Sequence, residues 1–259
     1  MPSGEGPGAL ELEAVQQRLQ VIRARITAAG GDPDRIDVVA VTKGHGLDAV
    51  RAALAVGLTD IGENYAPELV EKAAAIEPFL HGGPAPRWHF LGTVQRNKVP
   101  RLAPIVSCWQ AVARAVEATA IGRHSERPQV FVEIDLSGQP GRGGCPPAEA
   151  ERVVEAARLA GCTVRGLMTV APLVAAAEQP AAAARAFATV AQLAETLGLG
   201  ELSMGMSHDL EQAVVAGTTM VRIGTALFGE RSAGSSPQAP LWAATIDSPE
   251  EGSDGIVHE

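Results

Sequence analysis

Three lysines stand among the twenty-one basic residues of this chain: Lys43, Lys72 and Lys98. A sequence that writes its positive charge as arginine keeps a lysine where a guanidinium cannot serve. The guanidinium stays protonated. A lysine amine loses its proton when desolvated or set beside other cations, and can then attack a carbonyl. Lys43 ends the apolar run Ile36-Asp37-Val38-Val39-Ala40-Val41-Thr42, and Gly44 follows. That is the C-terminal tip of a buried strand, where barrels and doubly wound sheets gather their sites. A solvated strand-end lysine is the plainer use of the same position, so the surrounding residues must decide.

Two later segments, Ser203-Met204-Gly205-Met206-Ser207 and Arg222-Ile223-Gly224-Thr225, also end apolar runs. Ser207 and Thr225 offer hydroxyl donors. Gly205 and Gly224 let backbone amides approach an anion closely. A helix expected from His208-Asp209 would aim its N-terminal amides the same way. An amine beside a phosphate cradle suggests pyridoxal 5′-phosphate, with its aldehyde toward Lys43, its phosphate toward Ser207, Gly224 and Thr225, and Arg222 toward the pyridine nitrogen. Met204 and Met206 alternate on one strand, where packing is the plainer use. His89, between Trp88 and Phe90, reads equally as a satisfied core histidine. His45 is expected in solvent. Glu63 is expected to pair with a nearby cation rather than act as a base.

These residues need elements to hold them. Leu12, Val15, Leu19, Ile22 and Ile26, spaced by three and four, predict an amphipathic helix over 9–29 that Gly30-Gly31 stops. Strand-like runs follow at 36–42, 59–62, 87–92, 105–109, 129–136, 164–170, 201–206 and 219–224. Helical segments separate them near 47–56, 66–77, 95–102, 111–122, 147–160, 181–197 and 208–216, and Leu227 to Arg231 closes the ordered part. Alternation of this kind implies parallel pairing with right-handed crossovers. Eight units close a barrel, and the length suits one domain of that kind, so an α/β (β/α)8 TIM barrel over 1–231 is preferred to an open doubly wound sheet.

The net charge of −9 is concentrated at one end. Residues 232–259 carry Asp247, Glu250, Glu251, Asp254 and Glu259 with no Lys or Arg, and read as an acidic, disordered tail. The rest is nearly balanced, which argues against nucleic-acid binding. Arg87, Arg96, Lys98 and Arg101 form a local basic cluster, read as a solvated face or an anion-site rim. Cys108, Cys145 and Cys162 show no CxxC spacing, and no histidine pair has ligand spacing, so neither a disulfide framework nor a metal is expected. The opening residues lack a secretory pattern and no apolar run reaches the ~18 residues of a membrane span. A cytoplasmic monomer is the expected state.

Five segments then carry a resemblance: Val39-Ala40-Val41-Thr42-Lys43; Gly62-Glu63-Asn64-Tyr65; Trp88-His89-Phe90-Leu91-Gly92 with Gln95 and Asn97-Lys98; Leu202 to Ser207 with Asp209; and Val221 to Ala226 with Phe228-Gly229. In order and spacing, over about residues 10–231, the chain closely resembles the YggS/PROSC family of pyridoxal phosphate homeostasis proteins. The resemblance implies a barrel similar to the alanine racemase N-terminal domain, with the cofactor held as a Schiff base on Lys43. It implies further cofactor contacts from Asn64, His89, Met206, Ser207, Arg222, Gly224 and Thr225. Apo enzymes that use the cofactor would be the recipients. The sequence departs from the pattern at Gly44-His45-Gly46, at Thr93-Val94 and in the loop 137–144, which replaces a segment usually ending Lys-Ser-Gly, so a role for that lysine carries over only if Arg142 substitutes. An arginine cannot pass a proton to the ring nitrogen, which makes the ring a poor electron sink. The single tyrosine, Tyr65, is not expected to serve as a racemase's second base. A carrier is therefore the expected function. A low-activity amino-acid racemase is the alternative, and a non-covalent site for another phosphorylated metabolite a third possibility that leaves Lys43 unexplained.

Overall fold

A computed structural model describes residues 12–80, 82–139 and 141–230. The expectations for the acidic tail and for Arg231 lie outside the described residues. Eight parallel strands close a barrel in sequence order: β1 (Asp37–Val41), β2 (Asp60–Glu63), β3 (Arg87–Phe90), β4 (Val106–Val112), β5 (Gln129–Ile134), β6 (Thr163–Thr169), β7 (Glu201–Ser203) and β8 (Met220–Ile223). β1 pairs with both β2 and β8, which closes the ring. Helices α1 (Leu12–Ala28), α2 (Leu47–Ala55), α3 (Ala66–Ile76), α4 (Val99–Leu102), α5 (Ala115–His124), α6 (Ala150–Leu159), α7 (Gln179–Thr196), α8 (Leu210–Val215) and α9 (Thr225–Phe228) lie before, between and after the strands.

The period of two along each strand sorts the core into two shells. Val38 and Ala40 of β1, Ile61 of β2, Trp88 and Phe90 of β3 and Val221 and Ile223 of β8 belong to the large shell that includes the helices' apolar residues. Val39, Cys108, Phe131, Met168 and Met220 form a separate small cluster inside the ring. The inner face of β1 therefore runs Val39, Val41, and on to Lys43 at the C-terminal mouth. Thr42 belongs to the outer face, where its hydroxyl meets the Glu63 carboxylate that Lys72 of α3 also holds. Helix α1 buries Val15, Leu19, Ile22 and Ile26, the residues its periodicity singles out.

Every expected strand forms, but some boundaries and helices move. β4 continues to Val112 through a register irregularity and takes the start of the helix expected at 111. The helix expected over 95–102 shrinks to Val99–Leu102, with Pro100 near its start. The eighth helix begins at Leu210 rather than His208, after a turn. Met204 and Met206 lie beyond the three-residue β7. No helix among the described residues is long and apolar enough to cross a membrane.

β6 approaches β7 closely at Gly166, which pairs in register with Glu201. A Cβ there would sit 1.8 Å from the Glu201 carbonyl oxygen, so the strands would have to part. Gly166→Ala is expected to cost about 1–3 kcal/mol, read as a lowered thermal midpoint of several degrees with the far-UV spectrum retained.

Candidate functional site

The tip of β1 is held by a buried ionic cluster. Lys72 of α3 donates from Nζ to the Thr42 carbonyl at 2.7 Å, to Glu63 Oε1 at 2.6 Å and to Glu68 Oε1 at 2.7 Å. Glu63 Oε1 also accepts from the Thr42 hydroxyl at 2.5 Å, and Glu68 Oε1 accepts from the Gly44 amide at 2.7 Å. The backbone is thus gripped on both sides of Lys43. Burial pushes the Glu63 carboxyl above its ordinary range although Lys72 and Thr42 oppose it, as expected for a carboxylate with no exposed surface and one unpartnered oxygen. Glu63 does pair with a cation, and the cation is Lys72. Lys43 is half-buried at the mouth. His45, expected in solvent, tilts against the Phe228 ring with centroids 5.5 Å apart.

Arg222 enters from β8, on the inner face between Met220 and Gly224. It is buried and fixed by carbonyls: Nη1 donates to Ser203 O at 2.6 Å and Ser203 Oγ at 2.7 Å, and Nη2 to Thr169 O at 2.7 Å. Desolvation lowers its pKa to about 10, against the attraction of Glu133 and Asp209, so it stays charged near neutral pH. Glu133, from β5, is the carboxyl nearest in effect to that charge. Burial pushes it up to about 7 although Arg222 pulls the other way. In an eight-strand ring β5 lies opposite β1, so Glu133 and Lys43 stand on facing walls. Arg142, from the loop after β5, also acts on Glu133 and reaches toward the Ala171 carbonyl at 3.5 Å.

The two glycine-containing loops meet. The Ala226 amide donates to Ser207 Oγ at 3.1 Å, which leaves the hydroxyl proton to give. Asp209 Oδ1 accepts from the Met206 amide at 2.5 Å. From behind, Arg25 of α1 donates to the Ser207 carbonyl at 3.1 Å and pairs with Glu211 at 2.6 Å. Gly205 has φ of 97°, and a Cβ there would lie 2.5 Å from that of Ala213. Gly224 lies against β1, where a Cβ would be 3.2 Å from the Val41 carbonyl. Lys43, Ser207, Gly224, Thr225 and Arg222 thus converge at the C-terminal mouth where β7, β8 and β1 adjoin.

Three expectations are redirected. His89 is buried in the barrel between Asp60, at 2.9 Å from Nε2, and Gln110, at 2.7 Å from Nδ1; it is a satisfied interior histidine. Asn64 lies at the tip of β2 and lines a cavity of about 230 Å³ with Tyr65, Phe90, Gln95 and Lys98. Met204 is fully buried, whereas Met206 is 36% exposed at the rim and is not packing. The four-residue basic cluster also divides. Arg87 pairs with Asp60 at 2.5 Å at the N-terminal end of β3, away from Arg96, Lys98 and Arg101 beyond its other end. A groove of about 640 Å³ along α1, α2 and α3 holds none of the converging residues. Burial raises the thiol of Cys108 to about 12 and those of Cys145 and Cys162 to about 11, so none is a nucleophile near neutral pH. Among the described residues no group of three or more His, Cys, Asp or Glu could hold a metal.

Fold and site together define a class. The family described as alanine racemase, N-terminal domain, matches residues 10–232. The alanine racemase of Corynebacterium glutamicum superposes with a TM-score of 0.63 at 19% identity, over 87% of this chain and 64% of that one, a likeness of fold. Among nearer relatives, pyridoxal phosphate homeostasis proteins of Pseudomonas aeruginosa and Deinococcus radiodurans are 40% and 39% identical. They cover 82% and 80% of this chain and 92% and 95% of their own. PipY of Synechococcus elongatus, solved with pyridoxal phosphate bound, gives a TM-score of 0.69 at 32% identity over 83% of this chain and all of that one. This chain belongs to the family of pyridoxal phosphate homeostasis proteins.

Lys72→Met is expected to strand the buried Glu63 carboxylate and cost about 3–5 kcal/mol, measured by urea unfolding. The Glu133 carboxyl has a folded pKa above its unfolded value, so the native state binds the extra proton between about 4.5 and 7. Its contribution to stability is present below that window and falls as pH rises through it, by at most ~1.4 kcal/mol per unit. Glu133→Gln should therefore gain stability relative to the parent protein between pH 5 and 8 in matched urea titrations. A flat difference would refute the assignment.

Proposed function

We propose that this protein binds pyridoxal 5′-phosphate, carries it covalently on Lys43, and buffers and delivers it to apo enzymes in the cytoplasm. One observation carries the reading: an amine whose flanking backbone is clamped on both sides stands one strand away from a carbonyl-anchored guanidinium and from two interlocked glycine-containing loops. That donor set matches an aldehyde, a pyridine nitrogen and a phosphate on one small molecule. When bound, the cofactor supplies an aldehyde that a neutral amine captures reversibly as a Schiff base.

The chain's own residues account for the rest. The Lys72 cluster fixes where the Lys43 amine emerges. Arg222 offers a permanently charged donor that holds a ring nitrogen without protonating it, which disfavours decarboxylation and transamination. Ser207, Gly224 and Thr225 offer hydroxyl and backbone donors for the phosphate, with Met206 flanking them at the rim. Asn64 borders the site from β2, and His89 acts from beneath rather than by contact. Residues up to 231 are taken as one cofactor-binding unit and 232–259 as an acidic appendage, a division supported by the matched region ending at 232. A monomer remains the proposed state.

A low-activity racemase is the second reading, and one observation favours it. Glu133 places a titrating carboxyl on the wall opposite Lys43, where a proton-holding group would be needed. Exchange of an amino acid's α-proton in deuterated water separates the two, since a carrier leaves it in place.

Purified protein soaked in pyridoxal phosphate should show a visible absorption band that borohydride abolishes, leaving a mass adduct on Lys43. Lys43→Ala and Lys43→Arg should both lose band and adduct, the second despite keeping its charge. A colourless parent protein without an adduct refutes the reading.

A further inference from the structure

Beneath the mouth, the barrel interior holds a chain of polar side chains that the resemblance does not explain. Arg222 Nη1 donates to Ser203 Oγ at 2.7 Å. The Ser203 hydroxyl donates to Gln110 Oε1 at 2.6 Å. Gln110 Nε2 meets His89 Nδ1 at 2.7 Å, and His89 Nε2 meets Asp60 Oδ1 at 2.9 Å. Arg87 closes the far end on Asp60 Oδ2 at 2.5 Å. Ser203, Gln110, His89, Asp60 and Arg222 are all buried.

The donor directions are fixed by chemistry. Arg222 can only donate. Burial alone would raise the Asp60 carboxyl, but hydrogen bonds from His89 and Arg87 hold it below its ordinary range, so it is ionised and only accepts. Since Asp60 accepts at one end, His89 must carry its proton on Nε2. The Gln110 amide nitrogen faces Nδ1 and its oxygen faces Ser203, so Nδ1 accepts from the amide. That oxygen takes the Ser203 proton and leaves a Ser203 lone pair for Arg222. Turning Gln110 over would set two acceptors, its amide oxygen and Nδ1, against each other unless His89 gained a second proton. Gln110 is also held by Met220 Sδ at 3.1 Å from its amide nitrogen. The groups able to influence the imidazole are Asp60 of β2, Arg87 of β3 and, through its field on Asp60, Asp37 of β1.

We propose that Gln110 is a positioning residue: its amide, locked between His89 and Ser203, orients the Ser203 hydroxyl and thereby aims the Arg222 guanidinium at the ring nitrogen of the bound cofactor. This rests on the proposed reading for its last link alone. His89 enters the site through this relay rather than by touching the ligand.

Two measurements on the full chain test it. The first needs no cofactor. NMR of isotope-labelled histidine, with His89 assigned by its loss in His89→Gln, should show the proton on Nε2 alone. In Gln110→Glu both ring nitrogens should be protonated, because the imidazole then lies between two carboxylates. The second adds pyridoxal phosphate. Gln110→Met should keep the borohydride-trapped adduct on Lys43 but hold the cofactor roughly tenfold more weakly and shift its absorption maximum, as expected when a charge-assisted hydrogen bond is misaligned. If the Met variant does not fold, Ser203→Ala, which removes the hydroxyl that Gln110 orients for Arg222, carries the same measurement. A parent His89 protonated on Nδ1, or variants that match the parent in retention and spectrum, overturns the proposal. If the parent protein takes up no cofactor at all, the proposed function falls, while the histidine spectrum still decides the relay.

Discussion

One ammonium group organises the mouth of this barrel. Lys72 Nζ carries three donors and spends them on the Thr42 carbonyl, Glu63 and Glu68. Two of these partners are carboxylates, and both in turn grip β1 or the residue after Lys43. Removing such charges from water is expensive, and a buried ion pair seldom adds net stability over an apolar packing. Its use here is geometric. A compact ammonium at the centre of three acceptors fixes strand β1, the tip of β2 and helix α3 to one another. A planar guanidinium of greater reach would not fit the same three-way junction. Lys72 is thus kept as a point charge, whereas Lys43 is the amine proposed to react.

Arg222 illustrates the opposite choice. It spans β8, β7 and β6 by donating to backbone carbonyls and one hydroxyl, which suits a forked, permanently charged group. Burial depresses its pKa to about 10, not far enough to discharge it. The counter-charge is Glu133, which burial pushes the other way, to about 7. Toward the mouth, the barrel interior therefore sets a cation that persists beside a carboxyl that titrates near neutrality. A ligand anion at the mouth would meet a net positive interior most fully when that carboxyl is protonated.

Much of this was legible before any coordinates. Eight apolar runs separated by helical segments favour a closed parallel ring over an open sheet, and the strand-tip position of Lys43 followed from its place after Val41-Thr42. The supporting residues were harder to see. Lys72 sits in a helix whose pattern reads as surface, and only the third dimension brings it to Thr42. Glu133 and Gln110 left a fainter trace: each is a polar residue in an otherwise apolar strand, Val130-Phe131-Val132-Glu133-Ile134 and Cys108-Trp109-Gln110-Ala111-Val112. In a ring whose inner face is dry, such residues must be paired or functional. Met206 was misjudged because the run 201–206 looked like one strand, whereas β7 ends at Ser203 and frees the rest as loop.

That short strand explains where the candidate ligand residues gather. β7 has three residues and meets β8 in register at Ser203 and Met220 only. Elsewhere the seam is stitched by side chains and loop amides. Thr218 donates its hydroxyl among the Leu202, Met204 and Met220 carbonyls, the Arg222 amide reaches Gly205, and Ser207 takes the Ala226 amide. All eight pairings are present, but that of β7 with β8 is short, and the Met204, Thr219 and Arg222 amides carry it on past its single registered pair. Beyond that short ladder the chain passes into the loops that carry Ser207 and Thr225. Because the Arg222 side chain also crosses from β8 to β7 and β6, a ligand that engaged Arg222 and both loops, as proposed above, would tie across the ring's briefest ladder.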